Sequence, residues 1–107
     1  MLGDCQQNRV TLTQEKIRDA VQMVAPKFEI QKVYLFGSYA RGDATERSDC
    51  DFRIVGGNIH SLYDIAAIHL DFEEALGCTV DMVMTDNIKK TFYDAIKSEE
   101  VLVYAKA

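Results

Sequence analysis

Lys32-Val33-Tyr34-Leu35-Phe36-Gly37-Ser38-Tyr39-Ala40-Arg41-Gly42 is the stretch on which the fold turns, and Ser48-Asp49-Cys50-Asp51 completes it. The β-branched and aromatic residues from 32 to 36 read as a strand that stops at Gly37. Residues 38 to 42 read as a short helical turn. The polar stretch Asp43 to Ser48 then loops to a second strand near Cys50 to Val55. A small-residue turn thus precedes two carboxylates placed two apart in an extended segment.

Working outward, Thr11-x-x-Gln14 has the form of a capping box, and Ile17, Ala20, Val21 and Val24 recur at helical spacing. Pro26 marks the end of that helix. On the other side, Gly56-Gly57-Asn58 is a turn signal. Ser61-x-x-Asp64 is placed to cap a helix running to Leu76, with Leu62, Ile65, His69, Phe72 and Leu76 along one stripe. Gly77 ends that helix. Thr79 to Met84 reads as a third strand, apolar except for Asp81. A helix from about Ile88 to Lys97 follows, with Ile88, Phe92, Ala95 and Ile96 inward, and Val101 to Tyr104 reads as an edge strand. The order α-β-(turn)-β-α-β-α-β predicts a single α/β (α+β) domain over residues 11–107 with a small sheet, preceded by a flexible tail over 1–10.

Composition narrows the partners. The 107 residues fit one domain, and a hydrophobic fraction of 48% suffices for one core. No apolar run approaches the roughly 18 to 20 residues that cross a bilayer, so no membrane contact is expected. The start has neither a basic cluster nor an apolar stretch, so no signal peptide is expected either. Cys5, Cys50 and Cys78 are odd in number and lack C-x-x-C spacing, which suits reduced thiols and a cytoplasmic location. Net charge is −5 and the pI near 4.9. Nonspecific nucleic-acid binding depends on Lys and Arg neutralising phosphates, so direct nucleic-acid binding is not expected.

The chemistry lies in the acids and the glycine turn. Residues two apart on a strand share a face, so Asp49 and Asp51 can converge on one ion while Cys50 points into the core. Without a cation the pair repels: two unit charges about 4 Å apart cost roughly 4 kcal/mol at an effective dielectric of 20. Asp81 is the natural third ligand if its strand lies beside theirs, and there it can also act as general base on an attacking hydroxyl. The other reading is an Asp on the solvated face of an edge strand. Gly37 lets the backbone approach phosphate closely, with free N–H groups and the Ser38 hydroxyl as donors. Arg41 has two roles open to it, a phosphate contact or a pair with a site carboxylate. Such a set suits nucleotidyl transfer, which must offset the triphosphate's charge and hold attacking and leaving oxygens in line.

Gly37-Ser38-x-Ala40-Arg41-Gly42 followed by Ser48-Asp49-x-Asp51 resembles the signature of the DNA polymerase beta-type nucleotidyltransferase superfamily. The short length and Val80-Asp81-Met82-Val83 resemble the minimal nucleotidyltransferases (MNT), the antitoxin half of HEPN–MNT toxin–antitoxin pairs. The resemblance covers about residues 13 to 104. It implies a nucleotidyltransferase fold, a small mixed β-sheet flanked by helices, with Asp49, Asp51 and Asp81 as catalytic, metal-binding triad. It also implies Gly37 and Ser38 as triphosphate contacts, Mg²⁺ as cofactor and ATP as donor. The implied acceptor is a tyrosine of a partner HEPN toxin. The alternatives are an antitoxin that works by binding alone, or transfer to a small-molecule hydroxyl. A homodimer or a hetero-oligomer is compatible with so short a chain.

Arg53 departs from the pattern, because the family usually places an apolar residue two after the second motif aspartate. By strand parity Arg53 shares the face of Asp49 and Asp51, where it would neutralise the acids, touch phosphate or escape to solvent. His69 is expected to be packed and hydrogen-bonded, and Cys50 and Cys78 to be small core residues. Glu73-Glu74 and Glu99-Glu100 read as solvated charges. Tyr39 either packs or lines a nucleotide pocket.

Overall fold

The computed structural model describes residues 11–57, 59–84, 94 and 99–106. Its elements are α1 (Gln14–Val24), a 3₁₀ turn (Ala25–Phe28), β1 (Lys32–Phe36), α2 (Ser38–Arg41), β2 (Cys50–Val55), α3 (Leu62–Leu76), β3 (Val80–Met84) and β4 (Val101–Ala105). They build a mixed sheet of order β3-β2-β1-β4. β1 is antiparallel to both β2 and β4, whereas β2 and β3 are parallel and joined through α3. This is the α/β arrangement that the element order predicts. The tail 1–10 and nearly all of the predicted helix 88–97, with Ile88, Phe92, Ala95 and Ile96, lie outside the described residues.

Local chemistry explains the element ends. α1 is capped by Thr13, whose hydroxyl accepts from the Lys16 N–H at 3.1 Å. The capping box read at Thr11 and Gln14 is therefore corrected: the cap lies two residues later, and Gln14 instead donates its amide to the Tyr39 carbonyl at 3.2 Å. The cap must sit just before the first buried turn, and Ile17 is that residue. Pro26 stands early in the 3₁₀ turn, where its missing N–H is harmless. Ser61 caps α3 by accepting from the Asp64 N–H, and Gly77 closes it in the left-handed region, as expected.

The core is a layer of α1 and α3 on one face of the sheet. Ile17, Val21, Val24, Ile68, Phe72 and Leu76 from the helices meet Val33, Leu35, Cys50, Phe52, Ile54, Val80 and Val103 from the strands. Phe52 and Phe72 pack with ring centroids 5.1 Å apart. The α3 stripe differs from expectation. Ile68, Phe72 and Leu76 are buried, Ile65 and His69 only half-buried, and Leu62 is 81% exposed. Among the described residues the buried positions of α3 all lie in its later turns, where it packs on the sheet, and the first-turn Leu62 is left outside that contact.

Candidate functional site

The site forms where β1 runs out. Gly37 adopts φ +76°, and a Cβ there would come 2.2 Å from Asp51 Oδ2. Glycine is required on both counts, since a left-handed backbone and a carboxylate at contact each exclude a side chain. The Gly37 carbonyl accepts from the N–H groups of Ala40 and Arg41, and the Ser38 carbonyl from those of Gly42 and Asp43. These bonds wind Ser38–Arg41 into the one-turn α2. Gly42 at φ +89° then releases the chain.

The connection to β2 is a self-bonded turn. The Ser48 hydroxyl accepts from the Thr45 N–H at 2.8 Å, and the Ser48 N–H returns to the Thr45 carbonyl at 3.0 Å. The signature serine thus shapes the loop that delivers Asp49. One residue on, the Cys50 N–H donates to the Thr79 carbonyl at 3.0 Å and starts the β2–β3 ladder. Asp51 and Asp81 are then direct partners in that parallel register, and Phe36, the residue before Gly37, faces Asp51 across β1.

Asp51 meets Asp81 in register, and the charge of Asp49 is felt at Asp51. Asp51 is half-buried, while Asp49 and Asp81 are exposed. Burial, with the charges of Asp81 and Asp49 and a hydrogen bond to Asp81, pushes the Asp51 carboxyl up to about 6 against the opposing pull of Arg41. Below about pH 6 a proton on Asp51 relieves the repulsion, and above it the charges face each other. Among the described residues no three His, Cys, Asp or Glu side chains close into a metal cage. Asp81 lies on an edge strand of the described sheet and is solvated, as the second reading has it, and in the β2–β3 register it is the partner of Asp51. Cys50 is fully buried as expected, its sulfur 3.5 Å from that of Cys78, and both are free thiols.

Sequence reasoning missed the glutamates before β4. Glu99 Oε1 accepts from the Gly37 N–H at 3.2 Å and from Arg41 Nη1 at 3.3 Å. Arg41 also pairs with Asp43 at 3.2 Å, and these acids raise its already high pKa, Asp43 first. Glu100 receives Arg53: the guanidinium reaches Oε1 at 3.0 Å and bonds Oε2 through Nε, with both side chains only 7% exposed. The Arg53 head also sits 4.3 Å above the Tyr34 ring, its cross-strand partner. The solvated reading of Glu99-Glu100 is thereby corrected. No local signal could have shown it, because the partners lie 62, 58 and 47 positions away.

Glu73 is corrected likewise, since it accepts from the Val80 N–H at 3.1 Å. His69 is packed and hydrogen-bonded as expected, its Nε2 donating to the Val80 carbonyl at 2.7 Å. Tyr39 packs in the core, its hydroxyl accepting from the Leu12 N–H at 3.4 Å. Burial raises its pKa. Its edge also reaches a cleft of about 400 Å³ that Arg47, Ser48, Asp49, Gly77, Cys78 and Thr79 line.

A strand ending in a Gly-Ser turn, with acids in register on the next two parallel strands, defines a domain of the nucleotidyltransferase type. The sequence model of the family "Polymerase beta, Nucleotidyltransferase" matches residues 15–107, and the chain belongs to that family. The protein adenylyltransferase MntA of Thermococcus cleftensis is 34% identical over 77 residues, 72% of this chain and 78% of its own. A relative from Methanocaldococcus jannaschii is 31% identical over 86 residues, 80% of this chain and 92% of its own. Among solved structures, a toxin–antitoxin crystal structure with AMP-PNP matches with TM-score 0.68 at 22% identity, covering 89% of this chain and 75% of that one. The MNT antitoxin complex of the tri-AMPylated Shewanella oneidensis HEPN toxin matches with TM-score 0.59 at 20% identity, covering 95% and 73%. At these identities the structures share the fold.

Proposed function

We propose that this chain transfers AMP from ATP to a hydroxyl, a tyrosine by the family resemblance, on a HEPN-type partner protein and so acts as its antitoxin. The observation that carries the reading is the register pairing of Asp51 with Asp81 directly beside the Gly37 turn. The activity named for the Thermococcus relative and the toxin–antitoxin assemblies among the structural neighbours support the acceptor class.

Each residue has a task in this mechanism. Gly37 N–H, the Ser38 hydroxyl and Arg41 hold the triphosphate oxygens. Asp49, Asp51 and Asp81 are the residues that would hold Mg²⁺, an ion commonly held by one or two carboxylates together with phosphate oxygens and water rather than by a closed protein cage. The open Asp51/Asp81 edge fits that mode, and its mutual repulsion is the electrostatic demand for a cation. When bound, Mg²⁺ would supply positive charge to offset that of the phosphates. Asp81, solvated and at the sheet edge, can meet a hydroxyl that arrives on another molecule. It accepts the hydroxyl proton as that oxygen bonds to the α-phosphorus and the bond to pyrophosphate breaks.

The test mixes this chain, its HEPN partner, ATP and Mg²⁺, and weighs the partner. An AMP-sized mass increase is expected, and none with Asp49→Ala/Asp51→Ala. An unmodified partner that is nonetheless neutralised, by wild type and double variant alike, would establish a purely binding antitoxin instead.

A further inference from the structure

We propose that the Glu99 carboxylate is a resident competitor in the glycine turn, and that a nucleotide's triphosphate must displace it to enter. The inference rests on reading Gly37, Ser38 and Arg41 as the triphosphate cradle, and it adds the residue that sets the threshold for nucleotide capture.

The geometry is that of an oxyanion already in place. A single oxygen, Glu99 Oε1, takes the Gly37 N–H at 3.2 Å and the Arg41 guanidinium at 3.3 Å. A phosphate oxygen would seek the same two donors, because carboxylates and phosphates are recognised by the same N–H groups. Both cannot hold them. Glu99 also brings a negative charge to the Gly37 turn, which the Asp51 carboxylate abuts, and this further discourages a triphosphate while the Glu99 carboxylate remains.

The contact is built to yield. Charge-assisted bonds of this type usually measure about 2.7–2.9 Å, so 3.2 and 3.3 Å are long. The Arg41 side chain is 47% exposed and keeps Asp43 when Glu99 leaves. Exposed pairs of this kind contribute little. The next residue behaves oppositely. Glu100 is held by the buried Arg53, which in turn stacks on Tyr34. The backbone at 99–100 is therefore anchored while the Glu99 side chain, 28% exposed, can swing outward.

The experiment measures binding of inorganic tripolyphosphate, and separately of ATP, to the wild type, Glu99→Gln, Glu99→Ala and Arg41→Ala by titration calorimetry. Removing the competitor should tighten tripolyphosphate binding on the order of ten-fold, more for Glu99→Ala than for Glu99→Gln, which keeps an acceptor oxygen. A gain in affinity cannot come from a damaged fold. If both Glu99 variants bind no tighter while Arg41→Ala weakens binding, the cradle stands and the role of Glu99 falls. If tripolyphosphate and ATP bind equally to all four proteins or to none, cradle and competitor fall together.

Discussion

Gly37 and Asp51 fit each other so closely that each limits what the other can be. Gly37→Ala forces a Cβ into Asp51 Oδ2 at 2.2 Å and a left-handed φ of +76° onto an L side chain. We expect a loss of about 2 kcal/mol in unfolding free energy, from one residue held in a disfavoured region. The larger effect should be a loss of transfer activity of about 100-fold, since displacement near 1 Å at a reacting centre costs that much. Denaturant melts and mass-detected transfer read the two separately. Asp51 makes a pH prediction of opposite sign to most carboxylates. Its folded pKa of about 6 lies above the ordinary value of about 3.9. The native state thus holds the proton more tightly, and the charged form is penalised above pH 6. That penalty fades as pH falls through 6 and is absent below about 4, where both states are protonated. Asp51→Asn should therefore unfold at higher temperature than wild type at pH 7.5 in Mg²⁺-free buffer. The two should converge near pH 4.

At the scale of elements, the site depends on strands that the helix layer holds in place. The register of β2 on β3 brings Asp51 beside Asp81, and α3 bridges those strands. Phe72 on α3 is fully buried against Phe52, the residue after Asp51. Phe72→Ala should cost about 3–5 kcal/mol by lost contacts and a residual cavity, measured by urea unfolding. Where the variant remains folded, its transfer rate should stay within a few-fold of wild type, because Phe72 faces the opposite side of the sheet from the acids. Most elements were legible in the chain. Lys32–Phe36, Cys50–Val55 and Leu62–Leu76 are bounded by glycine turns or a serine cap whose signals are local. The N-terminal cap falls at Thr13 and not at Thr11 because the two threonines are chemically equivalent until packing chooses Ile17 as the first buried residue. The α3 stripe departs from its spacing at Leu62 for a related reason. Spacing shows which residues share a face, but not how far the sheet beneath extends.

For the molecule as a whole, the proposed binding of ATP with Mg²⁺ would be a source of stability, because the site exists only in the folded chain. A ligand that binds only the folded state at about 100 times its Kd adds about 2.7 kcal/mol. For a domain of this length that corresponds to a rise of about 10–20 °C in Tm. Saturating ATP with Mg²⁺ should produce a rise of that order in a thermal melt. Asp49→Ala/Asp51→Ala should abolish most of it, whereas Glu99→Ala should reach the same shift at lower ATP. The sequence by itself determined the class of fold, the glycine turn and the three acids, because each is written in residue type and short spacing: a glycine where no side chain fits, alternation along a strand, a serine before a helix. Only the tertiary structure decided which distant acids meet the site's cations and its glycine turn. Glu99 reaches Gly37 and Arg41, and Glu100 takes Arg53 away to a buried pair, through contacts 47 to 62 residues apart. Strand pairing brings such residues together, and no local pattern records which distant acid a given cation will meet.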